Sequence, residues 1–311
     1  TAYHVRRIPD ITRCLRRNKR DALWLNEWMF QQDIRRIIKE EEIDLFITAY
    51  SSYMTGFPPF DVDVPVVFDY LDCAEWTSDT PHEKKYIQHS DLVLAVSALA
   101  EEQARRFNDN VVYLPNGADV ERIRQASGEA VRRQYGLEDA TVVSLIGLMD
   151  SPYLVEAVLK ARARIPNLKC LLVGESDYLR SSVADIPGAD DIFVFTSPVP
   201  YEDVAQYFAA TDTGLYPVPG VSYDDGRSPI KVFEYTAAGC PVVTPAIREV
   251  KRLGFSNLIY ASPTASAFAE GIVKASRRRL SGDSSIENYD WSNLADRLDH
   301  LLTEETPVLP S

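Results

Sequence analysis

Residues 226–250 read GRSPIKVFEYTAAGCPVVTPAIREV, and this pattern predicts a loop, a helix, a tight turn and a buried strand. Ser228 is a good helix N-cap, and Pro229 suits the first helical position because its φ is already helical and it has no N–H to leave unpaired. Gly239 is placed to end the helix, and the apolar run after Pro241 suits a buried parallel strand. A helix that leads into such a strand is typical of an α/β protein.

The start of the predicted helix has the chemistry of an anion site. The N–H groups of the turn at 226–230 have no helical acceptor, and the helix dipole adds partial positive charge there. Lys231 lies one turn in, and Glu234 follows it by three residues on the same face. A cationic donor suits phosphate and a carboxylate suits ribose hydroxyls, so the stretch predicts a nucleotide diphosphate site. Its candidate residues are Gly226, Arg227, Ser228, Lys231 and Glu234.

The same stretch closely resembles the signature of glycosyltransferase family 4, Ser-Pro-x-Lys-x-x-Glu-Tyr-x-Ala-x-Gly-x-Pro-Val-Val. The resemblance implies a GT-B fold, in which two Rossmann-like α/β domains with doubly wound parallel sheets face a cleft. It also implies a retaining transfer from a nucleotide diphosphate sugar, with UDP or GDP as the expected nucleotide and no further cofactor. From the residues alone, an ordinary capped helix that runs into a strand is the alternative.

The length and the order of elements predict two domains. A chain of 311 residues exceeds a usual single domain, and strands alternate with helices as in a doubly wound parallel sheet. The resemblance implies a first β-α-β segment that this sequence does not contain. The predicted parts are an acceptor-side domain at 1–125, a nucleotide-sugar-binding domain at 126–288 and a helix at 289–311 that crosses back onto the first domain.

The charge and the cysteines limit the partners. A net charge of −13 argues against nucleic-acid binding. Residues 1–20 are basic, which fits either peripheral contact with an anionic membrane or acceptor, or a solvated helix face. Cys170 and Cys240 lie in apolar runs and are expected as buried reduced thiols, which suits a cytoplasmic protein. The histidines lack metal-ligand spacing and no apolar run spans a membrane, so neither a metal site nor a spanning helix is predicted.

Further candidates follow predicted strands. Asp72, with Asp69 before it, comes after the strand at 65–70 and is a candidate for contacting an acceptor hydroxyl, although it would also cap the next helix. Asn116-Gly117 is a turn dipeptide that the resemblance places near the interdomain cleft, and a turn without ligand contact is equally open. The resemblance also implies that one loop of the second domain faces the nucleotide base. Its candidate residues are Thr196, Ser197 and Val199.

The sequence departs from the family at two further places. The strand that ends at Gly147 is followed by no cation, where the family has an arginine and a lysine that grip the donor diphosphate. Gly226 replaces the first of two paired glutamates, and the adjacent Asp224 and Asp225 are predicted to reach the donor sugar or simply to form a turn. Catalysis would then come mainly from positioning and from stabilising the departing diphosphate.

Two functions therefore remain open. The first is a hexosyltransferase that acts on a glycan, lipid-linked or small-molecule acceptor, as in polysaccharide biosynthesis. The second is a catalytically silent GT-B subunit or scaffold that binds nucleotide or glycan, which the missing cations favour and the intact signature helix disfavours. A sugar-nucleotide epimerase and a phosphorylase are weaker alternatives, because the ionisable groups or the cofactor-bearing lysine that they need are not identifiable.

Overall fold

The structure, a computed structural model, describes residues 19–49, 61–71, 73, 81–147, 150–174, 176–220, 222–277 and 283–305. It contains a four-stranded and a six-stranded sheet, and every strand pair in both is parallel. We call the part from α1 to β4 the first unit and the part from α4 to α11 the second unit. The two sheets agree with the predicted α/β class, whereas the domain boundaries at 125 and 288 stay a prediction.

The first unit is a small open sheet with helices on its connections. Its strands lie in chain order and are β1 (Phe46–Ala49), β2 (Val66–Tyr70), β3 (Leu92–Ala95) and β4 (Val111–Tyr113). Its helices are α1 (Lys19–Glu40), α2 (Pro81–His89) and α3 (Ala98–Ala104). Phe68 and Tyr70 face one core with α2 and α3, while Val67 faces the other side of the sheet. This alternation is what a strand covered on both faces requires.

The second unit is a larger doubly wound sheet. Its strands are β5 (Thr141–Ile146), β6 (Leu168–Val173), β7 (Phe193–Phe195), β8 (Thr213–Leu215), β9 (Val242–Thr244) and β10 (Leu258–Tyr260). Its helices are α4 (Val120–Gln125), α5 (Glu129–Gln134), α6 (Leu154–Arg162), α7 (Asp177–Val183), α8 (Tyr201–Ala209), α9 (Ile230–Ala237), α10 (Arg248–Leu253) and α11 (Ala265–Ser276). Separate apolar clusters cover the two faces of the sheet, as the continuous apolar strands predict.

The strand order fixes where a ligand site is expected. The six strands lie in the order β10-β9-β8-β5-β6-β7, so the chain runs outward from β5 to β7 and then returns to the other side through β8. The direction of winding therefore reverses between β5 and β8. Open α/β sheets bind ligands at the carboxyl ends of the strands at such a switch point. The helix α9 follows β8 along the chain and begins near this edge.

The last helix joins the two units. Helix α12 (Trp291–His300) follows a 3₁₀ segment at Ser284–Tyr289 and leads into a π-helical turn at Leu301–Glu305. Leu298 and Leu302 pack against Val67 and Leu92 of the first sheet, so residues of this C-terminal segment contact the first unit. Among the described helices, none has both the length and the apolar character that a membrane crossing requires. The basic stretch predicted to contact a membrane falls mostly at residues 1–18, outside the described residues.

Candidate functional site

The signature helix begins later than the sequence predicts. Helix α9 spans Ile230–Ala237 and its N-cap is Pro229, so the assignment of Ser228 as N-cap and Pro229 as the first helical residue is wrong. The reason is a tertiary contact: Ser228 Oγ accepts a hydrogen bond from the Asn116 N–H at 2.9 Å, and the Ser228 carbonyl accepts one from Asn116 Nδ2, also at 2.9 Å. The predicted C-terminal end is confirmed, since Gly239 follows the helix with a φ of +75°.

Tyr235 anchors α9 to the centre of the sheet. Its buried hydroxyl donates to the Ser144 carbonyl at 2.9 Å and accepts from the Ile146 N–H at 3.2 Å. The ring lies on β8 where Gly214 leaves room, because a Cβ on Gly214 would come within 2.3 Å of it. Residues four apart share a helix face, so this anchor carries the side chain of Lys231 toward β5. The switch point is thus occupied by a lysine.

The ammonium group of Lys231 lies against the end of β5. A Cβ on Gly147, which has a φ of +91°, would be 2.9 Å from Lys231 Nζ and 3.0 Å from its Cε. A Cβ on Gly174, at the end of β6, would in turn lie 3.7 Å from the Gly147 Cα. Two glycines with positive φ therefore expose the backbone at the ends of neighbouring strands, and Lys231 supplies the cation that the segment after Gly147 lacks.

Burial disfavours the charged forms of both Lys231 and Glu234. Burial lowers the pKa of Lys231, with Glu234 opposing that shift and Arg227 adding to it. Burial raises the pKa of Glu234 to about 7, and the Lys231 charge only partly opposes the rise. Within the described part of the chain, neither side chain forms an ion pair or a hydrogen bond, so the ammonium donors and carboxyl oxygens remain open to a ligand.

The signature loop, residues 222–229, contains the two carboxylates that are predicted to contact the donor sugar. These two side chains have different partners. Asp224 is 2% exposed; its Oδ2 accepts from the Gly220 N–H at 2.9 Å, and its Oδ1 lies 3.7 Å from the Arg227 guanidinium. Asp225 is half-buried, and its Oδ1 accepts from the Arg248 N–H at 2.6 Å. Both carboxylates therefore hold the loop in place. A contact of either with the donor sugar stays a prediction.

Gly226 lies where the loop meets the first unit. A Cβ at this position would be 1.5 Å from the Cys73 carbonyl oxygen and 2.6 Å from the Cys73 carbonyl carbon. The Cys73 thiol is buried and contacts the Gly226 carbonyl at 3.8 Å. No side chain fits in this space, so the family's glutamate cannot stand here in this arrangement of the two units.

The other predicted donor-side residues follow β7. The Thr196 hydroxyl donates to the Ser197 carbonyl at 2.8 Å and accepts from the Gly174 N–H at 3.4 Å, which links this loop to the glycines beside Lys231. Ser197 and Val199 line a separate cavity of about 460 Å³ between α5 and α8. The structure therefore joins Thr196 to the Lys231 side of the site and turns Ser197 and Val199 toward another surface. Their role at the nucleotide base stays a prediction.

The first-unit candidates are only partly described. Asp72 lies outside the described residues, and its predicted contact with an acceptor stays untested. Asp69 is on β2, and burial raises the pKa of its carboxyl. Asn116 reaches the site through Ser228, whereas Gly117 packs under Tyr289, whose carbonyl oxygen would be 2.2 Å from a Cβ on that glycine. The predicted position of the turn near the junction of the two units is thus supported by contacts.

Three residues of this region were not among the predicted site residues. Arg180 on α7 donates to the Thr196 carbonyl at 3.3 Å and lies 4.6 Å over the Phe195 ring, which places a cation at the end of β7. Tyr235 and Glu249 are buried polar residues with partners far away in the chain. A tyrosine four residues after the signature lysine was the one available clue. Together with Lys231 and Glu234, the arrangement can bind an anion beside a hydroxyl-bearing group.

Comparison with known proteins identifies the second unit. Residues 142–278 match the family model for Glycosyl transferases group 1. The second unit is therefore similar in sequence to the group 1 glycosyl transferases. The match includes Gly147, the signature loop and α9, so the resemblance expected from the signature stretch is confirmed. The narrower assignment to family 4 stays a prediction.

Two relatives illustrate the similarity in sequence. D-inositol 3-phosphate glycosyltransferase from Geodermatophilus obscurus is 25% identical over 246 residues, which cover 70% of this chain and 53% of that protein. Phosphatidyl-myo-inositol mannosyltransferase from Mycobacterium tuberculosis is 28% identical over 227 residues, which cover 66% of this chain and 57% of that protein. The chain thus spans little more than half the length of these relatives.

Solved structures agree on the fold of the two units. Sucrose-phosphate synthase from Thermosynechococcus elongatus has a TM-score of 0.68 at 18% identity and covers 93% of this chain and 80% of its own. Anabaena HepE in complex with UDP and glucose has a TM-score of 0.65 at 15% identity and covers 89% of this chain and 81% of its own. The chain has the GT-B fold that the sequence predicts.

Proposed function

We propose that this protein is a glycosyltransferase that moves a sugar from a nucleotide diphosphate sugar to an acceptor hydroxyl. One observation carries the proposal: Lys231 Nζ lies beside Gly147 at the switch point of the second sheet, on a helix that follows β8 along the chain. Glu234 follows on the same helix face with its carboxyl group open. A cation next to a carboxyl group matches a diphosphate next to a ribose.

The residues assign a simple mechanism to the transfer. The bond between the sugar and the diphosphate oxygen breaks and its electron pair stays on the diphosphate. The acceptor oxygen bonds to the same sugar carbon and passes its proton to the departing diphosphate. Lys231 and the α9 N–H groups stabilise the charge that develops on the diphosphate. No carboxylate of the described site is positioned as a nucleophile, so we propose that positioning drives the reaction. We propose retention of configuration, because the family resemblance implies it.

The donor and acceptor are proposed from the relatives. HepE was solved with UDP and glucose and also with UDP-glucose, which makes UDP the first nucleotide to test and GDP the second. The two curated relatives are named for D-inositol 3-phosphate and phosphatidyl-myo-inositol. Phosphorylated and lipid-linked polyols are therefore the first acceptors to screen, followed by glycans. A cytoplasmic location and a role in polysaccharide biosynthesis stay predictions.

The test is calorimetric titration of the chain with UDP, GDP and ADP. A charge-assisted hydrogen bond contributes about 1.5–3 kcal/mol, which corresponds to a loss of affinity of about tenfold or more. Lys231→Ala should therefore bind its nucleotide at least about tenfold more weakly. Lys274→Ala is the matched control, because Lys274 is exposed at the end of α11, on another surface. Absence of binding by a folded parent chain would overturn the proposal.

A catalytically silent nucleotide-binding subunit is the second candidate. It is favoured by the segment from Gly147 to Tyr153, which contains no lysine or arginine. Incubation with UDP-glucose and GDP-mannose separates the two functions. A transferase releases the nucleoside diphosphate slowly when water accepts the sugar, and faster when an acceptor is present. Tight nucleotide binding without release of diphosphate under any condition would favour the silent subunit.

A further inference from the structure

Helix α10 belongs to the second unit, but its polar side chains contact the first. The Arg248 guanidinium lies 2.5 Å from a Glu102 carboxylate oxygen, and the Arg252 guanidinium lies 2.6 Å from one of Glu101. Both glutamates are on α3. These pairs are partly exposed and screened by water, so they guide the approach of the two units and contribute little to its strength.

Glu249, between these arginines, makes a different kind of contact. It is 0% exposed, and both carboxylate oxygens accept hydrogen bonds from the first unit. Oε2 accepts from the Ala98 N–H at 2.7 Å, and Oε1 accepts from the Tyr113 hydroxyl at 2.5 Å. Arg252 lies 3.6 Å over the ring of Tyr113. A buried carboxylate depends on such partners, because losing either one leaves a polar atom without a hydrogen bond.

The same helix holds the signature loop. The Arg248 N–H donates to Asp225 Oδ1 at 2.6 Å, so the first residue of α10 is bonded to the loop. Two further contacts join the loop directly to the first unit: the Gly226 backbone lies on Cys73, and Asn116 bonds to Ser228. The loop is therefore fixed between α10 and the first unit. The position of the loop relative to the first unit therefore depends on where α10 packs against that unit.

The groups proposed to bind the nucleotide do not belong to this loop. Lys231, Glu234 and Gly147 all belong to the second unit, and α9 is anchored there by Tyr235. Moving α10 away from the first unit leaves these groups in place. It changes the distance between the loop and the first unit, across which the acceptor must approach the sugar in the proposed reaction.

We propose that Glu249 is a positioning residue: by bonding to Tyr113 and Ala98 it seats α10 on the first unit, and through Arg248 and Asp225 it sets the place of the signature loop for transfer. The proposal rests on the proposed function and deepens it. It assigns to Glu249 an effect on the rate of transfer and none on the affinity for the nucleotide. A misplacement of about 1 Å at a reacting centre is enough to lower a rate by orders of magnitude.

The test compares Glu249→Gln, Tyr113→Phe and the double variant with the parent. Glu270→Gln is the matched control, because Glu270 pairs with Arg164 at the surface of the second unit. Tyr113→Phe keeps the ring under Arg252 and removes only the hydroxyl donor, so it serves if Glu249→Gln folds poorly. Turnover of the nucleotide sugar with water as acceptor, the nucleotide dissociation constant and amide exchange of the segment 245–253 are measured for each.

We expect turnover to fall about tenfold in Glu249→Gln and somewhat less in Tyr113→Phe, with the nucleotide dissociation constant within about twofold of the parent. Turnover of the double variant should be no lower than that of the slower single variant, because both substitutions disrupt the same contact between Glu249 and Tyr113. Exchange of the Arg248 amide should quicken about tenfold in Glu249→Gln and stay unchanged in Glu270→Gln. If the parent binds nucleotide and Glu249→Gln has the parent's turnover and amide exchange, the positioning role alone is overturned. A parent that binds no nucleotide overturns the proposed function, and the positioning role with it.

Discussion

Replacing Gly226 with alanine tests the close approach of the signature loop to the first unit. The new Cβ would lie 1.5 Å from the Cys73 carbonyl oxygen, although real Cβ atoms stay at least 3.0 Å from such neighbours. The loop and Cys73 must therefore separate by about 1.5 Å, since backbone atoms on both sides leave no flexible group to yield. Overpacking of this kind costs about 1–3 kcal/mol, and a clash with backbone belongs at the upper end.

We expect Gly226→Ala to lower the free energy of unfolding by about 2–3 kcal/mol, measured by urea titration with the parent alongside. The nucleotide dissociation constant should change by less than about threefold, because Lys231 and α9 are anchored within the second unit. Gly188→Ala is the control: its Cβ meets nothing within 4 Å and its φ of +74° adds only local strain. If Gly226→Ala unfolds with the parent, or at higher urea than Gly188→Ala, the contact with Cys73 is refuted.

Three further changes test the site itself. Glu234→Gln should flatten the dependence of stability on pH: the folded pKa of about 7 exceeds the usual 4.5, so the stabilisation is complete below about pH 4.5 and about 3 kcal/mol is lost as pH rises through 7, which urea midpoints at pH 5 and 8 measure. Tyr235→Phe should lower the free energy of unfolding by about 1–3 kcal/mol, because the Ile146 N–H loses its buried acceptor. Gly147→Ala should weaken nucleotide binding about threefold to tenfold by calorimetry, because its Cβ displaces Lys231 Nζ.

Each of these changes has an outcome that contradicts it. A Glu234→Gln variant that keeps the parent's pH dependence would mean that another group is responsible for it. Tyr235→Phe with parental stability would place the hydroxyl in water rather than against β5. Gly147→Ala with parental affinity, in a variant shown to be folded, would mean that Lys231 does not lie beside the strand end.

The fold was predictable because its signals are local. Each strand of the second unit is a short apolar run, and each is followed by a helix of suitable length, so the alternation alone indicates a doubly wound sheet. The position of Lys231 and Glu234 on one face of a helix was predictable for the same reason, since their spacing of three residues fixes a common face. The order of the strands, and with it the switch point between β5 and β8, became visible only in the structure.

The details that the sequence did not show depend on residues distant in the chain. Ser228 has every local property of an N-cap, but its hydroxyl is taken by Asn116, so the helix begins after Pro229. Asp224 and Asp225 look alike in sequence, yet one is buried in its own loop and the other is bonded to α10. Local chemistry indicates that these side chains need partners and does not show which partners they find.

The single lysine of the site raises the question of how it can hold a diphosphate without the two cations that the family has after Gly147. Part of the answer lies in the pKa of Glu234, which burial raises to about 7, so that this carboxyl group can take up a proton near neutral pH. A diphosphate that approaches favours the protonated form, which removes the negative charge nearest to Lys231. The anion also restores to the buried ammonium the interactions that it lost with water, because burial is the main cause of its lowered pKa. One buried cation beside a carboxyl group that can be neutralised therefore leaves the site with a net positive charge when the anion binds, which is the electrostatic condition that the missing arginine and lysine would otherwise supply.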